Sequence, residues 1–504
     1  MIPRIALVAL MLPALLAPAR LAAQTRQEFA ARRLNLETKL PDGALVALGA
    51  PEPSQDFISF AQAPSFYWLT GFDEPDAALV VVKRSGQIIS STMFVNPREP
   101  GREVWTGHRA GIDGVYDMTG IRGRPTNELL KALDSLAKAG VPMQFIGDIG
   151  LRDVDDESSP VRVSRTPDEQ LMDRLRRHFP GVKITVVNDL VEQFRGTKSA
   201  AELANIAQAV EITVLAQKEA MTAVQAVRNE FELQALIEYT FRRNGADRPS
   251  FSSIVGSGPN ATTLHYNDND RVFDLNDMIV MDVGASYHGY AADITRTVPA
   301  SGHFSLSQRD IYQLVRDAQS AAERQIRLDA PSRLMSDSAE AVLARGLTRL
   351  HLIESPDATY DCSTGPTPRQ CPQLRLFYMH GLGHGLGLEV HDPDQYTYTS
   401  TLSPGSVFTL EPGIYVREHV LDEMPKTPRN QALAARLAPA VAFFKNIGVR
   451  IEDDYAMTAR GMEWLSRGAP REITEIEAQM KLPFTGPAKR NSEIVGRYRD
   501  SVKQ

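Results

Sequence analysis

Met278-Ile279-Val280-Met281-Asp282-Val283-Gly284-Ala285-Ser286-Tyr287-His288-Gly289-Tyr290-Ala291-Ala292-Asp293-Ile294-Thr295-Arg296-Thr297-Val298 is the stretch on which the reading of this chain turns. Two apolar, β-prone runs flank a turn rich in glycine, which predicts a hairpin. The midpoint of Asp282 and Asp293 falls between Tyr287 and His288, so the spacing predicts the two aspartates opposite each other on one face. Their Cβ atoms would then lie roughly 5 Å apart. Like charges held that close repel, and removal from water raises the cost further. One or two divalent cations between them are the economical remedy.

Three later segments carry more ligand-type side chains. In His380-Gly381-Leu382-Gly383-His384-Gly385-Leu386-Gly387-Leu388-Glu389-Val390-His391-Asp392, three of the ten histidines gather around close-approach glycines. No GxGxxG register fits and no lysine follows, which argues against a phosphate loop. A set of structural histidines is the plainer alternative. Glu411 ends the apolar run Val407-Phe408-Thr409-Leu410 and is held extended by Pro412. It faces either a buried site or solvent at a sheet edge. In Val449-Arg450-Ile451-Glu452-Asp453-Asp454, alternation sets Arg450 and Glu452 on one face. They are either a site pair or a surface ion pair. Taken together, Asp282, Asp293, Glu411 and Glu452 with His384 form an oxygen-rich donor set with one nitrogen. That set suits Mn²⁺, Co²⁺ or Fe²⁺ better than structural zinc, and four carboxylates match two divalent cations and a hydrolase that activates water between them.

The rest of the chain frames that site. At 504 residues it is long enough for two domains, and 43% hydrophobic with 23% charged residues is a globular composition. A net charge of −7 gives no reason to expect nucleic acid or an anionic membrane as partner. Arg4 followed by an apolar run to Ala17, with Leu21-Ala22-Ala23 before Gln24, describes a secretory signal peptide over 1–23. An uncleaved anchor or a first helix is the other reading. Export predicts a periplasmic or extracellular site, where Cys362 and Cys371 could close a small disulfide loop instead of remaining free thiols. Strands are expected over 77–82 and 93–95, and a helix over 128–136. Further helices are expected from Ser199 and from the cap Asn229, which has Glu232 in the capping-box position. A boundary near residue 196 separates the two α/β domains, and the polar tail after Pro470 reads as a partly disordered extension.

At its ligand positions the chain resembles the pita-bread metallopeptidases, the family of methionine aminopeptidase, prolidase and aminopeptidase P. Ser65-Phe66-Tyr67-Trp68-Leu69-Thr70-Gly71-Phe72-Asp73-Glu74-Pro75 and Glu103-Val104-Trp105-Thr106-Gly107-His108-Arg109 resemble segments of the two-domain branch. The implied fold class is α/β (α+β). A creatinase-like N-terminal domain (24–195) precedes a pita-bread catalytic domain (196–470) and a C-terminal extension (471–504). The resemblance implies that Asp282 chelates one ion, that Asp293 and Glu452 bridge two, and that His384 and Glu411 complete the second. It further implies that His265 and His391 face the substrate, that His380 lies in the pocket, and that Arg450 stands beside the last glutamate. Glu411 would take a proton from a metal-bridging water. The implied activity is Xaa-Pro aminopeptidase, with Mn²⁺ expected first and Co²⁺, Fe²⁺ or Zn²⁺ as alternatives. The implied partner is a peptide with proline second, and self-association is a family habit. Prolidase, and a non-catalytic binding protein, are the competing readings. An excursion over 421–446, with Pro425, Pro428 and Pro439, departs from the family pattern.

Overall fold

The computed structural model of the chain describes residues 24–55, 57–147 and 166–502, and the leader expected over 1–23 lies outside them. Among the described residues no helix is long and apolar enough to cross a membrane.

The first region is built on a mixed six-stranded sheet. In spatial order its strands are Gly123–Pro125, Gln87–Val95, Ala78–Arg84, Gly43–Leu48, Met143–Ile146 and Ile184–Val186. Both faces are covered, and the period of two shows it. Leu45, Ala47, Leu79 and Val81 pack with Leu36, Phe66, Trp68 and Val191 on one side. Ala44, Val46, Ala78 and Val80 pack with Leu133 and Leu175 on the other. The helix expected over 128–136 is Leu129–Lys138. Of the two tryptophans in the family-like segments, Trp68 is buried and Trp105 is exposed.

The second region opens with the helix Ala200–Ala223, whose Ser199 and Glu202 form a complete capping box. Asn229 caps the next helix, Glu230–Arg243, by accepting from Glu232 N at 2.8 Å. The return contact differs from the expected box, because the Glu232 carboxylate takes Arg228 N at 2.7 Å. The long helix holds the hairpin through two inward polar groups one turn apart. Gln217 Nε2 donates to Met281 O at 2.9 Å and to Ile294 O at 2.7 Å, and Thr213 Oγ1 accepts from Ala285 N at 2.9 Å.

The hairpin itself corrects the expected register. Asp282 pairs with Thr295, and Val283 with Ile294, so Asp293 sits two residues off the position opposite Asp282. The aspartates are diagonal neighbours on one face rather than a direct pair. The reason is the turn, which centres one residue later than the midpoint of the two aspartates. His288 (φ 49°) and Gly289 (φ 80°) supply the two positive φ angles of a type I′ turn, between Tyr287 and Tyr290.

Helices Leu306–Glu323 and Arg333–Arg349 and the strands Val407–Leu410, Gly413–Val416, Ile447–Arg450 and Asp453–Thr458 repeat the layout of helices followed by strands. The halves meet where Glu452 N donates to Thr295 O at 3.1 Å and Thr297 Oγ1 donates to Arg450 O at 2.8 Å. Cys362 and Cys371 are disulfide-bonded across the short hairpin of Thr359–Asp361 and Gln370–Pro372. The expected excursion over 421–446 contains a helix, Pro428–Phe444, which packs on that hairpin through Asn430 Nδ2 to Asp361 O at 2.8 Å. Pro428 stands in its first turn, where a missing N–H costs nothing. Pro439 lies on the exposed side, so the carbonyl it leaves unpaired is open to water. The tail is also more ordered than its polarity implied. Ile473, Ile476 and Met480 bury one stripe of the helix Ile473–Met480, and Ile494 joins the main core.

Gly284 lies between the two aspartates in the chain, and a Cβ there would stand 1.8 Å from Ala292 O. Gly284→Ala is therefore expected to cost about 1–3 kcal/mol or more of overpacking, read as a lowered unfolding temperature. Wild-type stability in that variant would contradict the close strand approach.

Candidate metal centre

Five side chains from four segments converge. Asp282 comes from near the end of the strand Met278–Val283, and Asp293 from the residue just before the strand Ile294–Pro299. Glu452 stands between the strands Ile447–Arg450 and Asp453–Thr458, and Glu411 just past Val407–Leu410. His384 comes from the glycine-rich segment, seated by Thr409 N donating to His384 O at 2.9 Å and His384 N donating to Thr409 Oγ1 at 3.2 Å. Gly383 must be glycine for this approach, since a Cβ would lie 2.0 Å from Thr409 O.

Donor atoms of Asp293, His384 and Glu452 all lie within 4.8 Å of one another. His384 Nε2 is 3.5 Å from Asp293 Oδ2, 3.7 Å from Glu411 Oε1 and 3.8 Å from Glu452 Oε1. Both expected alternatives at Glu411 and Glu452 are thereby decided in favour of the cluster over the surface. Asp282 Oδ1, Asp293 Oδ1 and Glu452 Oε1 are buried without a hydrogen-bond partner. Three orphaned carboxylate oxygens, one of them Glu452 Oε1 at 3.8 Å from His384 Nε2, are what a cation site needs and what a packed core avoids.

The electrostatics agree. Burial, then the neighbouring Glu452, pushes the Asp293 carboxyl well above its ordinary range, and burial with Glu452 does the same to Glu411. Burial, then Asp282, pushes Glu452 up to about 7. Burial, then His391, pulls His384 down to about 4, so the imidazole is neutral. Its Nδ1 lies 3.0 Å from Gly385 O. A carbonyl can only accept, so Nδ1 carries the proton and Nε2 presents a bare lone pair to the carboxylates.

Arg450 holds the arrangement from behind. It donates to Asp282 Oδ2 at 2.6 Å, Tyr415 OH at 2.8 Å, Thr295 Oγ1 at 3.3 Å and Leu264 O at 3.3 Å. Thr295 Oγ1 in turn donates to Glu452 Oε2 at 2.7 Å. His380 Nδ1 lies 2.7 Å from Gly381 O, and its Nε2 lies 2.8 Å from Tyr415 OH. Burial, then the Arg450 charge, lowers His380 to about 4. Because the Gly381 carbonyl fixes the proton on Nδ1, Nε2 accepts and the Tyr415 hydroxyl donates.

The His391 ring packs against that of His384, tilted by 49° with centroids 4.2 Å apart. Its neighbour Asp392 is buried and clamped by Arg195 at 2.5 Å and Lys198 at 2.9 Å. His265 stands exposed on the rim and is tied to the centre through the Leu264 carbonyl. Thr295 and Tyr415 went unnoticed in sequence. Thr295 was findable, because it shares the face of Asp293 by the period of two. Tyr415 was not, because its partners lie 35 residues away on either side.

This donor set belongs to a known class. Residues 204–459 match the model of metallopeptidase family M24, and residues 29–142 match that of the aminopeptidase P N-terminal domain. The chain belongs to the M24 metallopeptidases. It is 32% identical to the Xaa-Pro aminopeptidase of Haemophilus influenzae, over 90% of this chain and 97% of that protein. To the Escherichia coli Xaa-Pro aminopeptidase it is 31% identical, over 90% and 98%. The zinc-substituted E. coli aminopeptidase P in complex with product superposes with a TM-score of 0.73 at 29% identity, covering 91% of this chain and 99% of that one. The two-domain architecture is that of aminopeptidase P.

Carboxyls whose folded pKa is raised keep protons that the unfolded chain loses, so they destabilise the metal-free fold as pH rises from about 4.5 to 7. A divalent cation removes that penalty. The gap in unfolding temperature between Mn²⁺-loaded and metal-free protein should therefore widen from pH 5 to pH 7.5. A gap independent of pH would contradict the cluster's role.

Proposed function

We propose that the chain is an exported, dinuclear Xaa-Pro aminopeptidase that releases the N-terminal residue from peptides with proline second. The observation that carries the reading is the convergence of Asp282, Asp293, His384, Glu411 and Glu452 around orphaned buried oxygens. It occurs in a chain 32% identical over nine-tenths of its length to an Xaa-Pro aminopeptidase. Four carboxylates and one imidazole support two divalent ions, Mn²⁺ first. Export rests on the leader pattern over 1–23 and on the Cys362–Cys371 disulfide, which suits an oxidising compartment.

Asp282 would hold one ion, Asp293 and Glu452 both, and His384 with Glu411 the other. Bound there, the ions supply a Lewis acid for the scissile carbonyl and an acidified water. The side chains do the rest. Glu411, as a carboxylate at the centre, would accept the proton of the attacking water. His265 and His391, on the rim, stabilise charge developing on the carbonyl oxygen and the leaving side. Arg450 fixes Asp282 by a buried charge-assisted contact, and Tyr415 orients His380. Self-association belongs to the same reading.

A second reading, Xaa-Pro dipeptidase, has one specific support. The human Xaa-Pro dipeptidase is 29% identical over 93% of this chain. Mn²⁺-loaded protein given an Xaa-Pro-Yaa tripeptide and an Xaa-Pro dipeptide in parallel separates the two by product analysis. Release of Xaa from the tripeptide is expected, and cleavage of the dipeptide alone would move the assignment. Asp293→Ala and Glu452→Ala should each drop turnover to background while the far-UV circular dichroism stays that of wild type. Full activity in either variant would rule out the two-ion mechanism.

A further inference from the structure

Glu230 is a carboxylate that the proposed chemistry does not use, yet it is fully buried and saturated with donors. It opens the helix Glu230–Arg243, beside the segment that carries His265. Ser257 N and Ser257 Oγ both donate to Glu230 Oε1 at 2.7 Å, and Asn260 Nδ2 does so at 3.2 Å. Arg271 N donates to Oε2 at 2.8 Å, and Tyr266 OH lies 2.9 Å from the same oxygen. Glu230 N closes the ring by donating to Arg271 O at 3.0 Å. One carboxylate thus gathers both ends and the middle of residues 257–271.

His265 lies inside that segment, and its imidazole makes no hydrogen bond among the described residues. Its placement depends on its neighbours. On one side Arg450, the residue that orients Asp282, holds the Leu264 carbonyl at 3.3 Å. On the other, Tyr266 is held by Glu230. Asn269 fastens the loop further along, accepting from Val255 N at 2.9 Å and donating to Ser253 O at 2.8 Å. The Tyr266 hydroxyl also lies 3.0 Å from Asp270 Oδ1.

We infer that Glu230, acting through the Tyr266 hydroxyl, is the positioning residue that holds His265 over the metal centre. The inference rests on the proposed substrate-facing role of His265. Misplacing a reacting group by about 1 Å can cost about 10²-fold in rate, so loosening one of two anchors has a kinetic signature. A purely structural glutamate would show only in stability.

Tyr266→Phe removes the hydroxyl and keeps the ring, and is preferable to Glu230→Gln, which disturbs five contacts at once. Wild type, Tyr266→Phe, His265→Ala and the double variant would be compared on an Xaa-Pro-Yaa tripeptide, with hydrogen exchange measured over residues 257–271. The expected result is a kcat lowered about tenfold in Tyr266→Phe, with KM changed less than about twofold. In the His265→Ala background the same change should have no further effect, because Tyr266 acts through His265. Exchange across 263–268 should accelerate in Tyr266→Phe while the rest of the chain is unchanged. An undiminished kcat, or an equal loss in both backgrounds, would overturn the inference. Should wild type leave the tripeptide uncut, the proposed function fails first. The exchange result still decides the anchor, because wild-type protection in Tyr266→Phe overturns it without any substrate.

Discussion

Mutual repulsion among buried carboxylates is the constraint on which the rest of this structure depends. Asp282, Asp293, Glu411 and Glu452 converge on one site, and burial with the neighbouring carboxylates raises the pKa of Asp293, Glu411 and Glu452. Such a cluster cannot persist ionised in a low-dielectric interior without a counter-charge. Arg450 answers part of the need, holding Asp282 alone. Carboxylate oxygens of Asp293, Glu411 and Glu452 lie near a neutral imidazole, an arrangement that a bound cation would relieve.

The scaffold is arranged to resist that repulsion. Each half contributes ligands, and the seam between the halves runs through Thr295 and Glu452, so opening the site means parting two sheets. Behind the hairpin, Gln217 and Thr213 tie both strands to the long helix. Behind Glu452, Asp453 is locked between Arg296 at 2.7 Å and Arg471 at 2.8 Å. Arg296 also donates to Glu452 O at 2.6 Å. The ligands are thus held by neighbours whose own charges are paired, which is how a strained site stays organised.

Much of the site was legible because its ligands are local events. A strand ending in a carboxylate, or a histidine among glycines, is visible without knowing what it packs against. The register of the aspartates was misjudged by one residue at the turn, because only backbone angles at His288 and Gly289 place its centre. The helix Pro428–Phe444 was hidden by its prolines, although a first-turn proline is a helix signal. The tail looked disordered by composition, yet Ile473, Ile476 and Met480 carry a helical spacing that could have been read. What no local pattern reveals is the chain of contacts from Asp282 through Arg450 and Tyr415 to His380. Its members come from strands and loops that only the fold brings together.

We propose that these carboxylates and His384 form a two-ion centre. Metal stoichiometry measures it most directly, by elemental analysis of protein dialysed to equilibrium against Mn²⁺, beside the Glu452→Ala variant. Two ions per chain in the wild type and fewer in the variant are predicted. A wild-type chain that retains no divalent ion would contradict the account, whatever its fold.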